Sequence, residues 1–221
     1  MPPAPKGANG IAFDRQNNLY VAGGRSGIVY RVGTNGGAAQ PAVKIEPNVR
    51  KLPDGKTEQP IVANGVEFDS KGILYVSDTA RGAIWKVEIG PDGKGGKSVL
   101  WAQSPLLEGA DGLAFDGSGK LWVAANERNA IVTVTPEGTV QEVAKNGGAG
   151  PLEFPSAIVF VGNTAYITNF DTPDETIWML MARPLAMGSA LPSLKSHLDN
   201  DGGAALCGRR LQGIPGSGKK F

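Results

Sequence analysis

Asn9-Gly-Ile-Ala-Phe-Asp14, Asn64-Gly-Val-Glu-Phe-Asp69 and Asp111-Gly-Leu-Ala-Phe-Asp116 are one phrase written three times, and Ser156-Ala-Ile-Val-Phe160 is a degenerate fourth copy. Ten residues after each opening Asn or Asp come Leu19-Tyr20-Val21, Leu74-Tyr75-Val76 and Leu121-Trp122-Val123; in the last copy Ala165-Tyr166-Ile167 arrives one residue early. A third apolar run follows in each unit, at Ile28-Val29-Tyr30-Arg31-Val32, Ile84-Trp85-Lys86-Val87, Ile131-Val132-Thr133-Val134 and Ile177-Trp178-Met179-Leu180. The first three intervals are 55, 47 and 45 residues. That is too long for a leucine-rich or ankyrin repeat and close to a propeller blade of roughly 40–50 residues.

Each run is short, rich in β-branched and aromatic residues, and bounded by Gly, Asn, Asp or Pro, which is the pattern of a strand. Fourth strands are expected at Ala42-Val43-Lys44-Ile45, Ser98-Val99-Leu100-Trp101 and Val140-Gln141-Glu142-Val143. Each unit then becomes a four-stranded antiparallel meander, which buries its faces only by stacking on its neighbours; radial stacking around a channel is the propeller solution. The expected fold is therefore all-β, a β-propeller with four legible blades at about 7–60, 61–108, 109–152 and 153–180, followed by an irregular tail over 181–221.

Composition narrows the partners. The 32 Gly and 16 Pro in 221 residues supply the tight turns, and a hydrophobic content of 41% suffices for cores between blades. Lys and Arg number 22 against 21 Asp and Glu, so no basic face points to nucleic acid or an anionic membrane, and a small-molecule ligand is the expected partner. No apolar run approaches membrane-spanning length, and Met1-Pro-Pro-Ala-Pro-Lys6 lacks the apolar core of a secretory signal; the compartment stays open. The single Cys207 excludes an internal disulfide.

The chemistry is limited by what is scarce. The one histidine, His197, lies in the non-repetitive tail with no Gly-x-Ser-x-Gly elbow, which argues against a Ser-His-Asp triad. A zinc site of the His/Cys kind lacks ligands. Oxygen donors remain in quantity, the ligand set of hard cations. Two readings of the repeated Asn/Asp-Gly stand side by side. In one, Asn9, Asn64 and Asp111 cap an incoming loop while Gly supplies a permissive dihedral. In the other, the first residues of successive innermost strands converge at one mouth of the channel, so that Asn9, Asn64, Asp111 and Ser156 present their oxygens to one point. The Phe13, Phe68, Phe115, Phe160 and the Tyr20, Tyr75, Trp122, Tyr166 series read as packing, and Asp14, Asp69 and Asp116 as turn residues. Asp78 stands where the other units carry Gly23, Ala125 and Asn169, so it is both a site candidate and a candidate ion-pair partner of Arg81. In the tail, Asp199 and Asp201 resemble a fragment of a calcium loop without the downstream Glu of an EF-hand.

Ala63-Asn64-Gly65-Val66 with Leu74-Tyr75-Val76-Ser77-Asp78, followed by Ala110-Asp111-Gly-Leu-Ala-Phe-Asp-Gly-Ser-Gly-Lys-Leu-Trp-Val-Ala124, resembles two consecutive blades of the senescence-marker-protein/gluconolactonase/luciferin-regenerating-enzyme-like family. The resemblance spans roughly residues 7 to 170 and implies the third to sixth blades of a six-bladed propeller, the N-terminal blades having no counterpart here. Members hold one divalent cation through an Asn opening one blade, an Asp opening the next and a Glu from the first blade. By resemblance Asn64 and Asp111 are the metal ligands, Asp111 is also the catalytic residue, and Asn9 is the substrate-side Asn; Ser156 and Asp78 join it as substrate-binding candidates. The chain departs from the pattern in having no Glu upstream of Asn9, and Gly7 two positions before Asn9 where the family has Arg.

The function this implies is a metal-dependent hydrolase of the gluconolactonase type, opening a lactone or related ester with Asp111 or another carboxylate taking a proton. Calcium is the first cofactor expected, with magnesium, manganese or zinc as alternatives. The alternatives of another class are a non-catalytic propeller that binds or scaffolds, and a propeller of the strictosidine-synthase or NHL-repeat kind. An unclosed arc would leave open blade faces, so either the tail is expected to cover one end or two chains to associate as a homo-oligomer through them.

Overall fold

A computed structural model describes residues 7–146 and 152–170, and the backbone of 179–182. The strands run in chain order as β1 (Ile11–Phe13), β2 (Leu19–Ala22), β3 (Ile28–Gly33), β4 (Gly36–Lys44), β5 (Arg50–Lys51), β6 (Thr57–Glu58), β7 (Val66–Phe68), β8 (Ile73–Asp78), β9 (Ala83–Glu88), β10 (Val99–Gln103), β11 (Ala110–Phe115), β12 (Leu121–Ala125), β13 (Ala130–Val134), β14 (Val140–Lys145), β15 (Pro155–Val161), β16 (Thr164–Asn169) and β17 (Met179–Ala182). They form three four-stranded antiparallel meanders, β1–β4, β7–β10 and β11–β14, and a three-stranded sheet β15–β17. These are the four expected blades. The last runs two residues past the expected boundary at 180; Ile177, Trp178 and the tail from 183, with His197, Asp199, Asp201 and Cys207, lie outside the described residues. None of the described helices is long and apolar enough to cross a membrane.

The repeated phrase places its inner strands side by side, β1 against β7, β7 against β11 and β11 against β15. Three hydrophobic clusters fill the three seams between the four blades. Each seam carries the same aromatic pair, because alternate strand residues face opposite neighbours. Tyr20 meets Phe68, Tyr75 meets Phe115 and Trp122 meets Phe160, edge to face at centroid distances of 5.0, 4.9 and 5.6 Å. Such pairs add about 0.5–1.5 kcal/mol beyond the area they bury. Phe13 and Ile11 have no preceding blade among the described residues and stand 59% and 60% exposed; Val159 and Val161, on the far face of the last blade, are 57% and 63% exposed. The arc is open at both ends within the described residues.

The turn reading of the acidic residues holds. Asp116 Oδ1 accepts from the backbone N–H groups of Ser118 and Lys120 and from the Ser118 hydroxyl, and its Oδ2 accepts from Trp122 Nε1 at 2.8 Å. Asp14 and Asp69 do the same for their own turns. The last copy replaces this loop by a two-residue turn, Gly162-Asn163, with Val161 opposite Thr164; that is why Ala165-Tyr166-Ile167 comes early. The longer first interval has a structural cause as well: β5 and β6 form an extra hairpin that the repeat pattern did not announce.

The glycine of the phrase corrects an expectation. None of Gly10, Gly65 and Gly112 has a positive φ, so dihedral freedom is not their purpose. A Cβ on Gly10 would sit 2.7 Å from the Asn64 carbonyl oxygen, one on Gly112 would sit 2.5 Å from that of Ser156, and one on Gly65 would run into that of Asp111. Each glycine therefore admits the backbone of the next blade at the channel. Ala157 breaks the phrase in the one copy that no described blade follows. We expect Gly112→Ala to destabilise the fold by about 1–3 kcal/mol through overpacking, and Gly117→Ala, whose Cβ would meet nothing within 4 Å, to stay within about 0.5 kcal/mol of the parent. Urea denaturation of the two variants measures this, and equal midpoints would refute the close-approach account.

Candidate active site at the channel mouth

Asn9, Asn64, Asp111 and Ser156 each open an inner strand, and the structure brings all four to one cavity of about 690 Å³. Their main chains lock the blades together there. Gly10 N–H donates to the Asn64 carbonyl at 2.9 Å, and the Ser77 hydroxyl donates to the Asp111 carbonyl at 2.7 Å. Asn126 Nδ2 reaches the Pro155 carbonyl at 3.5 Å. The side chains differ in what remains free. Asn64 is buried and its Nδ2 donates to Thr79 Oγ1 at 2.9 Å, which leaves Oδ1 as the end available to a ligand. The Ser156 hydroxyl is paired with Thr168 Oγ1 at 3.0 Å. Asn9 is exposed at the rim.

Asp111 is the acid at the mouth whose ionisation burial disturbs most. Its carboxylate has no ion-pair partner among the described residues, and burial alone pushes its pKa up from an ordinary 3.8 to about 7. Removing a carboxylate from water disfavours its charged form unless a cation or donors compensate. The cavity wall contains two acids that sequence reasoning passed over, Glu67 and Glu127, with Asn126 and Thr79 beside them. Glu67 is also raised by burial, against one hydrogen bond from the Phe68 N–H. A signal for it was present: Glu67 occupies the repeat position held elsewhere by Ala12, Ala114 and Val159.

Asp78 is not brought to this cavity. It is fully buried, accepting from Arg81 Nη1 at 2.7 Å, Arg81 N–H at 3.1 Å and Trp85 Nε1 at 3.0 Å. The pairing with Arg81 anticipated from the sequence is present, inside the fold and not in an exposed loop, and the carboxylate is committed to it. A carboxylate so enclosed has no face left for a substrate.

The Asp111 shift has a measurable sign. The folded chain holds a proton at pH values where the unfolded chain has released it, so stability is lost as pH rises from about 4 to about 7 and the loss is complete above that. In chelator, Asp111→Asn should raise Tm at pH 8 by roughly 2–6 °C over the parent, with the two curves converging toward pH 4.5. Parallel curves across that range would show that the carboxylate is not desolvated.

The chain is similar to several known proteins. A profile of the SMP-30/gluconolactonase/LRE-like region matches residues 44–170. A 6-deoxy-6-sulfogluconolactonase from Pseudomonas putida is 28% identical over 115 residues, which is 49% of this chain and 38% of that protein, so the chain matches well under half the length of that relative. Among solved structures, a streptogramin B lyase superposes with a TM-score of 0.53 at 14% identity, over 87% of this chain and 59% of that one. An auxiliary nutrient binding protein from Bacteroides ovatus does so with a TM-score of 0.54 at 13% identity, over 74% and 46%. These two likenesses concern the fold alone. With the profile covering more than half of its residues, and the Asn64 and Asp111 blades inside the match, the chain belongs to the SMP-30/gluconolactonase/LRE-like family.

Proposed function

We propose that the mouth lined by Asn9, Asn64, Asp111 and Ser156 is the active site of a metal-dependent lactone hydrolase. The observation that carries this reading is an uncompensated, partly buried Asp111 beside a buried Asn64 whose amide oxygen is left open. Membership of the family and the partial match to a sulfogluconolactonase support it.

The donor set suits a hard divalent cation. Every polar side-chain donor named at the mouth is oxygen-bearing, and a cation would relieve the desolvated carboxylate. Asn64 Oδ1 and the Asp111 carboxylate would hold it, with calcium the first choice and magnesium, manganese or zinc as alternatives. Among the described residues no group of three or more His, Cys, Asp or Glu is placed to bind a metal ion, so water would complete the shell and the affinity would be modest. When bound, the cation supplies Lewis acidity at the ester carbonyl.

The chain's own groups do the rest. Water attacks the carbonyl carbon, the ring C–O bond breaks, and the departing oxygen ends as a hydroxyl. A carboxylate must accept the proton of the attacking water, and Asp111, desolvated at the mouth and without an ion-pair partner among the described residues, is the candidate. Asn9 at the rim can donate to or accept from ring hydroxyls, and Ser156, which lines the same cavity, can do the same. A second reading, binding without turnover, is favoured by the absence, among the described residues, of any group of three or more His, Cys, Asp or Glu placed to bind a metal ion.

Metal analysis of the purified protein coupled to hydrolysis of a sugar lactone, with and without chelator, separates the two. We expect turnover that chelator abolishes and a divalent cation restores, a loss of at least ~100-fold in Asp111→Ala, and a loss of about 1–3 kcal/mol of stability with kcat retained in Asp116→Ala. A parent chain that binds the cation without hydrolysing any lactone would favour the binding module; an Asp111→Ala variant with full metal content and activity would remove the site.

A further inference from the structure

One pair of hydroxyls breaks the repeat where the two central residues of the mouth meet. Ser77 and Thr79 stand where the first unit has Ala22 and Gly24 and the third has Ala124 and Asn126. Both bridge the seam between the second and third blades, each accepting from the Asn64-Gly65 segment and donating to the Ala110-Asp111 segment. Gly65 N–H donates to Ser77 Oγ at 2.6 Å, and Ser77 Oγ donates to the Asp111 carbonyl at 2.7 Å. Asn64 Nδ2 donates to Thr79 Oγ1 at 2.9 Å, and Thr79 Oγ1 donates to the Ala110 carbonyl at 2.7 Å. The two bridges differ in one respect: Ser77 touches only main chain, whereas Thr79 holds a side chain of the proposed site.

A side-chain amide has an acceptor end and a donor end of nearly the same shape, so something must decide which one faces a ligand. The Ala110 carbonyl accepts only, so it fixes the Thr79 hydroxyl as a donor toward the third blade and turns the oxygen lone pairs toward Asn64. Those lone pairs take the Asn64 N–H. From this chain of donors and acceptors we infer that Thr79 is a positioning residue, which turns the Asn64 amide so that its oxygen faces the mouth and ties that orientation to the blade carrying Asp111. The inference rests on the proposed role of Asn64 as a ligand, and it explains why the hydroxyl is needed at this seam and not at the others. Outer partners that orient a ligand typically change metal affinity 10–100-fold when removed.

The test uses the full chain labelled with 15N, with calcium as the probe. The Asn64 side-chain amide is assigned by its disappearance in Asn64→Asp. In the parent, its protons should exchange slowly with solvent. In Thr79→Val, which keeps the shape and removes the hydroxyl, that protection should vanish and the calcium Kd should rise 10–100-fold, while Thr79→Ser should restore both within about threefold. Ser77→Ala cuts the neighbouring bridge without touching the amide, and it should lower Tm while leaving the Kd within about threefold. Unchanged amide protection in Thr79→Val, or an affinity loss in Ser77→Ala as large as in Thr79→Val, would overturn the assignment. If the parent binds no calcium, the reading of the site as a metal centre fails, and the amide protection still decides the role of Thr79.

Discussion

The architecture depends on how closely neighbouring blades approach at the channel, where the carbonyl that opens one inner strand sits against the α-carbon of a glycine in the blade before it. At Gly10, Gly65 and Gly112 there is no room for a methyl group, and this contact sets the spacing of everything above it. The seams then fill with one aromatic pair each, and the side chains of the residues before the glycines are carried to one mouth. The same contact that joins the blades brings the residues of the candidate site to one mouth. A Gly-to-Ala change there would move Asn64 or Asp111 as well as weaken the seam.

Much of this was readable before any coordinates. The strands, the four blades, the turn role of Asp116 and the convergence of Asn9, Asn64, Asp111 and Ser156 all follow from periodicity, because a repeat forces equivalent positions into equivalent places. The glycine was read for the wrong reason. Its neighbour lies some 45–55 residues away in the chain, and a contact across a seam has no local signature, whereas a turn does. The β5–β6 hairpin was missed because it belongs to one unit only.

The residues at the mouth divide along the same line. Those that recur were found, and those that break the repeat were mostly not. Glu67, against Ala12, Ala114 and Val159, and Thr79, against Gly24 and Asn126, are departures of the kind that singled out Asp78, yet Asp78 proved to be the structural one. A departure from the pattern marks a residue with a particular task without saying which. Burial and partners decide: Asp78 is enclosed by Arg81 and Trp85, while Asp111 has burial and no counter-charge.

The proposed oxygen-loving cation belongs between Asn64 and Asp111. A crystal structure of the protein soaked in manganese, with anomalous scattering recorded at the manganese edge, tests it directly. One dominant anomalous peak is expected at the mouth, within coordination distance of Asn64 Oδ1 and the Asp111 carboxylate. Strong peaks confined to the turns at Asp14, Asp69 or Asp116, with none at the mouth, would contradict it.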